Sequence, residues 1–137
     1  MQDTVDNSNL LRLTPLFPRY PEVQFTMPHG RYPYNAAAGE LAKKFPTSAR
    51  TSSGCRRSAL RPHGALGEWL GLVRMNKLTW GGDYRHVENS YSAVLLLRGL
   101  LFEVLGDKLD SDRMDLDIAK EIVRRSMFDN VMQIYSL

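Results

Sequence analysis

Nine basic side chains fall between residues 31 and 80: Arg31, Lys43, Lys44, Arg50, Arg56, Arg57, Arg61, Arg74 and Lys77, against only Glu40 and Glu68. A surface of that kind suits phosphates. Each phosphate neutralised by Lys or Arg releases condensed counterions, so a handful of contacts gives salt-sensitive affinity without reading any base. Aromatic residues lie among the charges, in Arg31-Tyr32-Pro33-Tyr34 and Lys44-Phe45. Rings beside basic groups stack unpaired bases for about 1–3 kcal/mol each, which makes Tyr32, Tyr34 and Phe45 the stacking candidates. No GXXG loop between helices and no glycine-flanked aromatic run accompanies them. The expected class is therefore electrostatic and unspecific nucleic-acid binding, with RNA or another single strand favoured. The competing explanation is that the rings pack on the helices and the arginines are merely solvated.

A second pattern is Arg12-Leu13-Thr14-Pro15-Leu16-Phe17-Pro18, which has the R-x-x-P-x-x-P form of a polyproline ligand. Prolines at every third position line one edge of a left-handed helix ordered before binding, so Arg12, Pro15 and Pro18 are candidate partner contacts. The alternative is an extended arm packed across the domain by Leu13, Leu16 and Phe17.

Catalytic patterns are poor. Cys55 with His63 has the residue types of a nucleophile and base, and Arg56 and Arg57 favour a thiolate, but the pair lies in a segment with little sign of regular structure. His29, His63 and His86 lack the i, i+4 spacing of helical metal ligands. Asp107, Asp110, Asp112, Asp115 and Asp117 lack the central glycine and terminal glutamate of a calcium loop. The sequence contains neither G-x-x-x-x-G-K-S/T nor G-x-S-x-G. The expectation is a non-enzymatic chain with no cofactor and no metal.

The elements that position these residues divide the chain in two. All seven prolines lie in the first 62 residues, and residues 1–82 carry 11 basic and 5 acidic side chains while residues 83–137 carry 7 and 10. Proline removes a backbone donor and disfavours helix in the residue before it. Residues 1–64 are thus expected to form a Pro- and Arg-rich arm and basic loop, with a short strand near Val23–Met27 and a short helix near 36–45 that Asn35 caps and Pro46 stops. Residues 47–64 are expected to be an exposed loop. Residues 65–137 should form the helical core. Leu66, Trp69, Leu70 and Val73 at i, i+3, i+4 and i+7 predict a helix over 65–80, against a rival hairpin turning at Gly81-Gly82.

Val87–Leu105 is apolar on nearly every face from Ala93 onward, which suits a buried or oligomer-seam helix stopped by Gly106. The last helix is expected to start near Ser111 or Asp112 and to bury Leu116, Ala119, Val123, Met127, Val131 and Ile134. A linker of roughly five residues makes the two an antiparallel hairpin. Gly67 and Gly71 offer a small face for a neighbouring helix. These features predict a mainly α fold and a homo-oligomer with Leu97 and Leu101 at its seam. One cysteine, no basic-apolar leader and no long apolar run point to a cytoplasmic or nuclear setting rather than secretion, with no integral membrane segment. The function expected first is a basic module binding nucleic acid. The alternative is an oligomeric structural or protein-interaction scaffold, matrix-like or adaptor, including one at an anionic membrane surface.

Overall fold

Proline punctuates the first half as local sterics require. Pro46 follows α2 (Asn35–Lys44), and Phe45 before it takes the extended φ −103°, ψ 123° that a residue preceding proline prefers. Pro62 opens α3 (Pro62–Leu72), the helical position at which a missing N–H costs nothing. A computed structural model describes residues 9–28, 34–51, 62–82 and 84–137. The fold is mainly helical, with three short strands.

The Pro-rich arm is neither the polyproline ligand nor the extended packed arm that the sequence offers, and of Leu13, Leu16 and Phe17 only Phe17 is buried. Leu10–Leu13 forms a 3-10 turn in which Asn9 Oδ1 accepts the Leu11 N–H at 3.0 Å, and α1 (Leu16–Arg19) follows directly. Pro15 sits at φ −68°, ψ −19°, far from the ψ near 145° of polyproline II. Coiling the arm brings Leu10 and Phe17 into the core together, which an extended chain bearing Arg12, Pro15 and Pro18 along one edge would not do.

The strands β1 (Phe25–Met27), β2 (Ser48–Thr51) and β3 (Leu78–Thr79) form one parallel sheet in the order β1-β2-β3, with Met27 opposite Arg50 and Arg50 opposite Leu78. Parallel neighbours need long crossovers, and α2 and α3 supply them. Two expectations change here. Residues 48–51 are a strand, because β1 and β3 offer partners on both sides that no local alternation announces. The 65–80 stretch is neither one helix nor half of a hairpin: α3 ends at Leu72, Met75–Lys77 makes a 3-10 turn, and Leu78–Thr79 pairs with β2. The apolar spacing holds where the helix exists, since Leu66, Trp69 and Val73 are buried.

The outer edge of β3 is covered by the end of the chain. α4 (Val87–Asp110), α5 (Leu116–Arg124), a π-helical segment Arg125–Asp129 and α6 (Asn130–Tyr135) come in order. The Ser126 carbonyl accepts the Trp80 N–H at 2.9 Å, and Asn130 Nδ2 donates to the carbonyls of Leu78 at 2.7 Å and Met75 at 2.6 Å. These bonds take up main-chain groups that an edge strand leaves open to other chains. The π segment also re-phases the helix: an extra residue turns the succeeding positions by about 100°, so the buried Asn130 comes inward while Val131 and Ile134 are only half-buried.

α4 runs through Gly106 instead of stopping there. Continuing to Asp110 packs Leu109 onto the α4–α5 core, which outweighs the ~1 kcal/mol cost of a glycine within a helix. The stop is Asp112, left-handed at φ 54°, whose N–H bonds Leu109 O at 3.0 Å while Arg113 N–H bonds Lys108 O at 2.9 Å, the paired closure of a Schellman motif. Because Asp112 is used this way, α5 begins at Leu116 and not near Ser111 or Asp112; the link keeps its five residues but is shifted along the chain to Ser111–Asp115.

Candidate interaction surfaces

Lys43, Lys44 and Lys77 stand at the C-terminal end of α2, with Arg74 close to Lys77. Lys43 and Lys44 occupy the last turn of α2 and are exposed, as is Arg74, just beyond α3. Lys77 reaches the same place from below: its Nζ donates to Ala42 O at 2.7 Å and to Phe45 O. Those carbonyls belong to the end of α2, where four acceptors lack intrahelical partners and positive charge is favoured. Burial, with a smaller contribution from the nearby Arg74, lowers the Lys77 pKa below its ordinary 10.5. Lys77 is therefore a buried cap for α2 and not a phosphate contact, because only 6% of it is exposed and its ammonium is spent on carbonyls.

Phe45 is also withdrawn from the stacking set. Its ring stacks on Phe17 with centroids 4.7 Å apart and 24° between planes, and Lys44 Nζ lies 5.7 Å from its centroid. Tyr34 is half-buried at the N-terminus of α2, its carbonyl accepting the Ala38 N–H at 3.0 Å. Arg50 is placed on β2. Arg31, Tyr32, Arg56, Arg57 and Arg61 lie outside the described residues, as do Cys55 and His29.

The second surface is the α4–α5 side. Leu97 and Leu101, expected at an oligomer seam, are buried at 8% and 4% within the subunit, packed with Leu66, Val104, Leu105, Ala119 and Ile122. Reaching α3 and α5 at once leaves the opposite side of α4 bare. Val87, Tyr91 and Leu95, spaced by four, are 77%, 66% and 48% exposed, and Phe102 is 81% exposed. Farther along, α4, α5 and the π segment line an open furrow of about 690 Å³, with Leu101, Leu105, Ala119, Val123 and Met127 along it. Among the described residues, Arg98, Lys120 and Arg124 are the only charged side chains lining it. Leu116, expected in the buried stripe, stands 57% exposed at its wall, because nothing in the described chain fills the furrow.

Sequence reasoning missed Gly39 and Asn130. A Cβ on Gly39 would lie 2.9 Å from Leu72 Cδ2 and 3.4 Å from Trp69 Cδ1, so this glycine sets the close approach of α2 and α3; at Gly67 the nearest atom, Val104 Cγ1, is 3.8 Å away, and at Gly71 nothing lies within 4 Å. The Ala-Ala-Ala-Gly run of α2 is visible in the sequence, but not its facing tryptophan. Asn130 gives no signal at all, since a polar residue within an amphipathic helix reads as surface. Among the described residues no group of three or more His, Cys, Asp or Glu is placed to hold a metal, and no helix is long and apolar enough to cross a membrane.

These observations define a mainly helical chain built on consecutive parallel β–α units, with one cationic end and one open apolar side. No known protein family matches it, and no solved structure matches it. The chain is similar to Protein fluG of Emericella nidulans, 28% identical over 139 residues that take in 95% of this chain. It spans only about 15% of the length of that relative.

Proposed function

We propose that this chain is a non-enzymatic protein-interaction module that self-associates through the first half of α4. The observation that carries this reading is the exposure of Val87, Tyr91 and Leu95 on one helix face, an apolar stripe of a kind that marks protein contacts when it continues over several turns. A cytoplasmic or nuclear location accompanies the proposal, in keeping with one cysteine in 137 residues. Sedimentation equilibrium over a hundredfold concentration range tests it. The mass should rise with concentration, and the double substitution Val87→Asp, Tyr91→Asp should hold the chain monomeric with its helical circular dichroism unchanged.

A second reading, nucleic-acid binding with RNA favoured, rests on Lys43 and Lys44 at the end of α2 and Arg74 close to Lys77. It predicts binding of a labelled single-stranded RNA that collapses with salt. Lys43→Ala, Lys44→Ala and Arg74→Ala should each weaken binding across all sequences and flatten the salt slope by about one. Unchanged binding in the triple variant would end that reading.

A further inference from the structure

We propose that the α4–α5 furrow is a recognition groove for an acidic amphipathic helix supplied by a different protein. The proposal rests on the reading of the α4 side as an interaction face, and shape and charge together carry it. The furrow runs along α4 from Val94 to Leu109, about 22 Å at 1.5 Å per residue, which is the length of a helix of roughly 15 residues. Its floor is built from side chains of α4 and α5 repeating at helical spacing, Leu101 and Leu105 on one and Ala119 and Val123 on the other, so a third helix would seat apolar residues at i, i+3, i+4 and i+7.

Charge selects among occupants. Arg98 on one wall and Lys120 and Arg124 on the other form a rim of one sign. Lys120 is held 3.2 Å from Asp117 and Arg124 3.0 Å from Asp129, but three of the four side chains are 66–94% exposed, and exposed pairs are worth little and exchange readily. Lys120 and Arg124 lie one turn apart, so they match carboxylates repeated along a helix better than the single carboxylate at one end of a fatty acid. The carboxylates steer and orient, and the apolar floor provides the contact area.

The test uses the full chain and a fluorescein-labelled 15-residue helix with leucine at the seating positions and glutamate on both flanks, followed by anisotropy. The glutamate helix should bind, the same helix with lysine in place of glutamate should bind about tenfold more weakly or worse, and raising salt should narrow the difference. Arg98→Glu, Lys120→Glu, Arg124→Glu should reverse the preference; should that variant lose its helical signal, Arg98→Gln, Lys120→Gln should abolish the preference instead. Equal binding of both helices, no binding of either, or displacement of the probe by palmitate would overturn the proposal, as would loss of probe binding on self-association. The outcome is separable from the self-association reading, because the Val87→Asp, Tyr91→Asp variant leaves the furrow intact and should still bind the glutamate helix.

Discussion

The two apolar clusters of this chain are assembled from similar residues and finish differently. In the first, Trp69 has no exposed surface, its Nε1 donates to Asn35 O at 3.1 Å, and Ala38, Leu41 and Ala42 of α2 close over it. In the second, Leu97, Leu101, Leu105, Ala119 and Ile122 meet between α4 and α5, yet Phe102 and Leu116 remain largely in water. The difference lies in what small residues permit. Gly39 lets α2 and α3 press together until the indole fills the gap, whereas Gly99 and Gly106 of α4 have nothing within 4 Å of where a Cβ would stand, and an open furrow remains beside Leu101, Leu105 and Val123. A closed cluster supplies stability; an open one leaves area for a partner.

Breaking the closed cluster should have the largest effect. Trp69→Ala should cost about 3–5 kcal/mol, enough to unfold a chain of this size under mild conditions, as read by urea denaturation. In the open cluster the contrast lies between neighbours: Leu101→Ala should cost about 2–5 kcal/mol, and Phe102→Ala should fall within about 0.5 kcal/mol of wild type. Equal losses at 101 and 102 would mean that the exposed ring is covered within the chain.

The two polar ties that fix β3 and α2 come next. Asn130→Ala would strip donors from the Leu78 and Met75 carbonyls and should cost about 1–3 kcal/mol. Lys77→Met should cost a similar amount through the Ala42 and Phe45 carbonyls, and it carries a pH signature. Burial lowers the pKa of folded Lys77, so between that value and 10.5 the unfolded chain holds more protons. Stability attributable to Lys77 therefore rises with pH across that window, and Lys77→Met should lack the rise in denaturation curves taken at alkaline pH.

The smallest effects concern glycines. Gly99→Ala, in a stretch of α4 with nothing within 4 Å, should stabilise by about 0.5–1 kcal/mol. At Gly39 the same change should destabilise instead, because the new methyl would lie 2.9 Å from Leu72 Cδ2 and 3.4 Å from the buried Trp69.

Periodicity makes much of the helical layout legible. The helix before Pro46, the buried face at Leu66, Trp69 and Val73, and the presence of α4 and α5 stem from spacing and punctuation, whereas the link between them lies later than Gly106 and Asp112 announced. The sheet does not, because strands of two to four residues carry too short a pattern and parallel pairing is decided by distant partners. The interaction surfaces are half-legible: an apolar α4 announces a seam, but which of its faces stays bare depends on where α3 and α5 settle, so Leu97 and Leu101 go inside. Lys77 misleads because charge in a sequence says nothing of which carbonyls wait for it.

Sedimentation equilibrium of the wild-type chain beside Val87→Asp, Tyr91→Asp bears most directly on the claim that the α4 side is an interaction face. The account predicts a mass that climbs with concentration in the wild type and stays at 15.6 kDa in the variant, with equal thermal stability. A wild-type mass fixed at 15.6 kDa throughout would contradict it.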